Sequence, residues 1–428
     1  MHRSKRAAPR WAIGTLIFSA MFVVGACGTA SSPPASTGSG GAGASTGAGA
    51  STAAGASAGT ATGAKHVAIL NKDMTDDEIK AEITKEAGVV VGNWTYSANA
   101  VLVDQFQKYV KATYGVDIAL TYDGSQAPSE YLTKLAAASK GGNPAPYDVT
   151  AVEENYWADG KAQGLTEDFL PSDLIPNQKL VLDQLQHAPT SIAFQSTSYP
   201  GVVYNKAKAP FIKSLKDLAN PALKGKVTLP APGDITAGGF FLGLAAEMGK
   251  DYKNPDQMKE VVDWAIANIG PNVAKYTSDQ PTMQQLFESG AIDAFSFWNA
   301  TARLEYFGGN KDATLLVPSV IYPANGYLWI PKGAPHPVLA QIFINWRLSP
   351  EVQFPNDWPI NHGQWSELSE GFLGPDYVSH VPDWFSADYA KYYPTLDQIK
   401  TQFKPIDWDA YNASAKIWQD YYGSKIGQ

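Results

Sequence analysis

Between Gly88 and Val152 the sequence alternates short apolar runs with segments of helical period, a pattern that leaves few architectures open. Gly88–Val91 is a continuous run of the kind found in strands buried on both faces, and Ile118–Tyr122 and Val149–Val152 repeat it. Between them, Leu102, Phe106, Tyr109, Val110 and Thr113 recur at helical spacing, and Pro128–Ala138 reads as a second helix. The order is βαβαβ, which predicts an α/β fold. A helix precedes it, opened by the capping-box pattern Thr75-Asp-Asp-Glu78 and reaching about Glu86.

The second half continues in the same style. Val202–Tyr204, Val227–Leu229, Asp293–Phe297 and Tyr327–Ile330 read as strands, and Gly238–Met248 and Thr282–Ser289 as helices. Asn254-Pro255-Asp256 opens a helix with Met258, Val261, Val262, Ala265 and Ile266 on one face. Pro337 starts another, carrying Leu339, Ile342, Phe343 and Trp346 and stopping before Pro350. The globular composition begins near Lys65 and includes eleven of the twelve tryptophans. Roughly 360 residues exceed one comfortable core, so two lobes are expected.

Upstream of Lys65 the chain is of another kind. Arg3, Lys5, Arg6 and Arg10 precede an apolar stretch from Trp11 to Val24, the length of a signal-peptide core and short for a membrane span. Val24-Gly25-Ala26-Cys27 resembles the lipobox of bacterial lipoproteins, which implies cleavage of residues 1–26 and a lipid on the Cys27 thiol. The other reading is an inert cysteine in a plain signal or anchor helix. Cys27 is the only cysteine, so no disulfide supports the fold. Acylation with more than one chain suffices for stable anchoring. The rest of 27–64 is almost wholly Gly, Ala, Ser and Thr and cannot offset its ordering entropy, so it reads as a flexible tether. The net charge of −8 becomes −12 without the signal peptide, 29 basic residues against 41 acidic. That excludes a general nucleic-acid binder and favours cationic ligands slightly.

Four stretches carry a family resemblance. They are "GNWTYSANAVLVDQFQKYV" from Gly92, "SLKDLANPALKGKVTLP" from Ser214, "PNVAKYTSDQPTMQQLFESGAIDAFSFWNATARLEYFGG" from Pro271 and "GYLWIPKGAPHPVLAQIFINWRLSPEVQ" from Gly326. In this order they resemble type II extracellular solute-binding proteins of ABC importers, particularly the spermidine/putrescine-binding group; a weaker likeness covers Trp418–Tyr422. The resemblance implies a two-lobed periplasmic-binding-protein-like α/β fold with two crossover strands, near Gln195–Gly201 and Ser319–Gly326. The N-terminal lobe is then 66–196 with 325–365, the second lobe 199–321, and 366–428 supplies C-terminal helices packing across both. It also implies a monomer that encloses a small-molecule ligand and docks on an ABC permease, with no cofactor.

Ligands of open α/β sheets collect beyond the carboxyl ends of the strands. The loops expected there are Gly92–Ser97, Glu153–Trp157, Pro232–Gly239, Thr277–Gln280, Trp298–Thr301 and Tyr322–Gly326. They offer Trp94, Thr95, Glu153, Glu154, Tyr156, Thr236, Asp279, Trp298, Asn299 and Asn325 as ligand-binding candidates. Trp94 and Trp298 could sandwich an apolar or cationic group, or pack in a core. Of Glu153 and Glu154, adjacent residues that point apart, at most one faces the cleft. Thr236-Ala-Gly-Gly239 offers an anion site at a helix N-terminus, or else Asp234 or Thr236 is a cap and the glycines serve tight packing. Thr236, Gly239 and Gly326 stand where the polyamine group places acids, so a polyamine-like amine and an organic anion such as an amino-phosphonate both remain open.

No catalytic residue is expected. The chain has no G-x-S-x-G, no H-E-x-x-H and no glycine-rich phosphate loop, and its six histidines lack metal-ligand spacing. A secreted hydrolase would rest on ordinary carboxylates. Iron capture would need adjacent tyrosines, and Tyr392-Tyr393 and Tyr421-Tyr422 fall in helical regions. A ligand sensor would share the same sequence features as an importer component.

Overall fold

Capped helices and apolar strands alternate along most of the chain in the computed structural model, which describes residues 63–93, 100–125, 128–195, 198–353 and 395–426. The signal sequence, Cys27, the tether, Trp94, Thr95 and Tyr392-Tyr393 lie outside the described residues. β1 (Lys65–Val67) and β2 (Lys72–Met74) form a small antiparallel ribbon, and α1 (Asp76–Glu86) follows from the Thr75–Glu78 capping box. Next come β3 (Gly88–Asn93), α2 (Ala100–Tyr114), β4 (Ala119–Asp123), α3 (Pro128–Lys140), β5 (Val149–Glu153) and α4 (Glu154–Ala162). β6 (Gln186–His187) and β7 (Ser191–Gln195) complete the first part.

The chain then enters a second sheet at β8 (Pro200–Asn205) and β9 (Val227–Leu229). α5 (Ile235–Glu247), α6 (Pro255–Asn268), β10 (Val273–Tyr276), α7 (Gln280–Glu288), β11 (Ala294–Trp298), α8 (Ala300–Phe307) and β12 (Ala313–Leu316) follow. It returns to the first sheet as β13 (Gly326–Trp329), before α9 (Pro337–Arg347), α10 (Pro350–Gln353), α11 (Leu396–Thr401) and α12 (Trp408–Ile426). The six-stranded sheet runs β4-β3-β5-β13-β7-β6 and the five-stranded sheet β10-β9-β11-β8-β12. In each, three strands joined by helical crossovers are parallel, and the strands that pass between the sheets, β13 and β8, lie antiparallel to them. This is the two-lobed type II arrangement.

Each sheet has its own core. In the first, α2 and α9 meet through Phe106 and Phe343, edge to face at 5.2 Å, with Trp346 5.1 Å from Phe106. The buried Glu86 carboxylate accepts the N–H groups of Val338 (2.9 Å) and Leu339 (2.7 Å), satisfying two donors at the start of α9. In the second, α5 is buried nearly all round, and α12 lays Trp408, Tyr411, Ala415, Trp418 and Tyr422 against it and α6.

Three boundaries differ from the expectations. Glu153–Trp157 is not a loop: Glu153 ends β5 and Glu154 opens α4 directly. Likewise Trp298 ends β11 and α8 begins at Ala300. α5 starts at Ile235 rather than Gly238, because the Asp234 side chain caps the Thr236 N–H at 2.8 Å. The helix opened by Pro337 ends at Arg347, before Pro350 as expected, and Pro350 is the first residue of α10, where no N–H donor is needed. The strands β7, β10 and β12 have no counterpart in the periodicity reading.

Candidate ligand-binding cleft

The parallel strands β3, β4 and β5 end at Asn93, Asp123 and Glu153, and β9, β10 and β11 at Leu229, Tyr276 and Trp298. At the first of these edges Asn93 is fully buried, its amide bonded to the Tyr122 hydroxyl. The Tyr131 hydroxyl lies 2.7 Å from both the Asn93 and the Asp123 carbonyl oxygens, which pins the chain just before Trp94. Asp123 accepts from the Ser125 N–H (2.9 Å) and hydroxyl (2.6 Å); burial pushes its carboxyl up, but these bonds and Tyr147 hold it below the usual range.

Glu153 and Glu154 part company. Glu154 is 5% exposed, its N–H donates to the Asn325 carbonyl (3.1 Å), and its Oε1 lies 2.6 Å from His187 Nε2. The imidazole is stacked on Trp157 (4.2 Å, 4°) and on Tyr327 (4.8 Å, 24°). Glu154 is therefore spent inside the first lobe. Glu153, half-buried one residue earlier, acts on the Tyr156 phenol, whose titration is raised by burial, by Glu153, and by Asp159 and Asp234. Asp234 belongs to the second sheet's half of the chain. The Tyr156 phenol thus lies in the field of carboxylates from both lobes.

The other candidates divide. Thr236 is 1% exposed; its N–H and its hydroxyl both go to the Asp234 carboxylate, so that group already fills the start of α5. A side chain at Gly238 would collide with the Tyr411 hydroxyl and one at Gly239 with the Pro200 ring, so these glycines serve close packing. Asp279 is exposed and caps α7 through the Thr282 N–H (3.0 Å), a bond that holds its carboxyl low. Trp298 is half-buried at the end of β11, opposite Pro200 in register and 6.3 Å from the Phe297 ring. Asn299 is buried and binds Tyr199 twice, its Oδ1 accepting from the Tyr199 N–H (3.2 Å) and its own N–H donating to the carbonyl (3.0 Å). Asn325 is buried beside Glu154, its amide reaching the Tyr327 hydroxyl.

The structure therefore brings Glu153, Tyr156, Glu154 and Asn325 to one edge, and Asp234, Thr236, Trp298 and Asn299 to the other. His187, Asp159, Tyr411 and Gln419 are the participants that local pattern did not find. His187 meets Glu154 across 33 positions, Gln419 meets Gly233 across 186 and Asp159 meets Asn412 across 253, and no short motif encodes such contacts. Among the described residues no group of three or more His, Cys, Asp or Glu could hold a metal ion, and no helix is long and apolar enough to cross a membrane. Of the adjacent tyrosines, Tyr422 is fully buried and Tyr421 bonds Asp263 at 2.8 Å.

Known proteins share this architecture. The chain is similar to a crystal structure of an ABC transporter from Clostridium perfringens, with 21% identity, a TM-score of 0.61 and coverage of 79% of this chain and 99% of that one. It is similar to the spermidine/putrescine ABC transporter substrate-binding protein PotD from Streptococcus pneumoniae, at 18% identity and TM-score 0.60 over 78% and 99% of the two chains. It is also similar to AfuA from Actinobacillus pleuropneumoniae, a periplasmic binding protein with fructose-6-phosphate bound, at 17% identity and TM-score 0.52 over 79% and 99%. At these identities the likeness establishes the fold. No curated protein matches the chain. The family model described as bacterial extracellular solute-binding protein matches residues 102–356, more than half of the sequence, and the chain belongs to that family.

Proposed function

We propose that this chain is the solute-receptor of an ABC importer and that it captures an amine-bearing cation between lobes of 66–196 with 325–365 and 199–321. The observation that carries the reading is the setting of Tyr156 among Glu153, Asp159 and Asp234. Carboxylates stabilise a cation, and the half-buried Trp298 at the end of β11 offers an indole face of the kind that attracts one. The anion alternative is weakened, because the Asp234 carboxylate takes the Thr236 N–H and hydroxyl at the start of α5. Trp94 and Thr95, next after Asn93 in the sequence, are further ligand-binding residues in this proposal. Ligand-driven closure by hinge motion presents the closed form to the permease. Cys27 carries the lipid that tethers a monomer to the outer face of the cytoplasmic membrane. No chemistry is required of the site.

The test is thermal unfolding of the chain from Lys65 with putrescine, spermidine, an amino-phosphonate and fructose 6-phosphate. A ligand at a hundred times its Kd adds about 2.7 kcal/mol when it binds only the folded state. The reading expects a rise with the amines; a rise with the phosphorylated compounds alone overturns it. Retention of Cys27→Ser protein at the membrane to the wild-type extent would overturn the anchor.

A further inference from the structure

The last helix of the chain touches the loop that brings Asp234 to the cleft at three successive points. Tyr422, fully buried against Phe241 and Tyr276, donates its hydroxyl to the Pro230 carbonyl at 2.9 Å. Gly423 packs opposite Pro232, with room for an added Cβ only at ordinary contact distance, 3.6 Å. The Gln419 Oε1 accepts the Gly233 N–H at 2.5 Å. Gly233 has φ +82, a conformation suited to glycine, and nothing lies within 4 Å of its Cβ position. Gly233 is exposed, and its N–H nevertheless finds a protein acceptor 186 positions away.

Gln419 is itself oriented. Its Nε2 donates to the Tyr411 hydroxyl at 3.2 Å, and Tyr411 lies against the bare face of Gly238 on α5. The amide therefore bridges the helix that Asp234 caps and the loop that leads into it. The same helix also reaches the first lobe: Asn412 Nδ2 lies 3.3 Å from Asp159 Oδ1, and Asp159 is one of the carboxylates around Tyr156. An amide on α12 thus adds a distant hold on the loop to the local one, the Thr236 N–H and hydroxyl on the Asp234 carboxylate.

We infer that Gln419 is a positioning residue for solute binding, holding the Pro230–Asp234 loop through Gly233 so that the Asp234 carboxylate faces Tyr156 and the ligand. The inference rests on the reading that Asp234 lines the cleft. Its mechanism is preorganisation: a loop already held does not have to be ordered when solute arrives.

The experiment compares wild type, Gln419→Ala and Gln419→Glu in the chain from Lys65. Amide hydrogen exchange is read at Gly233 and Thr236 without ligand, with α6 amides as the folding control, and spermidine is then titrated by calorimetry. The expected result is faster exchange at Gly233 in Gln419→Ala, unchanged exchange in α6, and affinity for spermidine lower by roughly three- to tenfold. Gln419→Glu keeps the acceptor and should restore Gly233 protection. Unchanged Gly233 exchange in Gln419→Ala overturns the inference, as does lost protection with full spermidine affinity. If wild type binds no spermidine, the amine reading fails on its own, and Gly233 exchange still decides whether Gln419 holds the loop.

Discussion

Asp234 combines two roles that a single substitution can separate. Serine at this position keeps an oxygen able to accept the Thr236 N–H, and serine and aspartate cap helices about equally well. What it loses is the charge. The stability cost is the helix-dipole contribution alone, about 0.3–1 kcal/mol. The binding cost is larger. A unit charge 4 Å from an ammonium in an effective dielectric of 20 interacts by about 4 kcal/mol, and after desolvation a charge-assisted bond is worth about 1.5–3 kcal/mol. Asp234→Ser is therefore expected to weaken amine binding by roughly ten- to a hundredfold while unfolding almost as wild type does. Calorimetric titration with spermidine, beside urea unfolding of the same preparations, measures both. Asp279→Ser is the control, since Asp279 caps α7 in the same way but is exposed; its affinity should stay within twofold or so. Equal losses in the two variants, or none in Asp234→Ser, would refute the reasoning.

Three further outcomes are expected. Burial raises the Glu86 carboxyl from 4.5 to about 7 against the pull of the Leu339 and Val338 N–H groups, so the native state holds a proton there that the unfolded chain gives up earlier. Its contribution to stability is greatest below pH 4.5 and falls as pH rises through about 7; urea unfolding at pH 5 and 8 should show that fall in wild type and a smaller one in Glu86→Gln. Gly239→Ala drives a methyl into the Pro200 ring beside the crossover between the sheets, and should cost about 1–3 kcal/mol by denaturant unfolding. Glu154→Ala leaves His187 stacked on Trp157 without its hydrogen-bond partner and should destabilise by about 1–3 kcal/mol; Glu154→Gln, which keeps a bond to the imidazole, should recover most of that in a thermal melt.

Most of the architecture is written in local pattern, because strands buried on both faces and capped helices announce themselves within a dozen residues. The Thr75–Glu78 box, the Asn254 cap and the Val227–Leu229 strand lie where their own residues require. α4 was hidden: Glu154-Asn-Tyr-Trp-Ala-Asp has little apolar period, and the helix is held by Trp157 packing and by His187, neither visible at short range. β12 and β7 escaped because their pairings, with β8 and β13, are set by the return of the chain between sheets. The site divides in the same way. Glu153 and Tyr156 follow from their place at a strand end, and the choice between Glu153 and Glu154 needed His187, 33 positions on. At the start of α5 the sequence leaves an anion site and an Asp234 or Thr236 cap both open, and the fold of Asp234 onto Thr236 selects the cap.

The central claim is that a cation is held between the lobes at Tyr156, and a crystal structure of the chain from Lys65 grown with spermidine tests it most directly. The account predicts amine density between the sheets, with nitrogens within about 3 Å of the Glu153 and Asp234 carboxylates and a methylene segment against the Trp298 ring. Spermidine bound elsewhere on the surface, or a cleft that takes an anion at the start of α5 in its place, would contradict it.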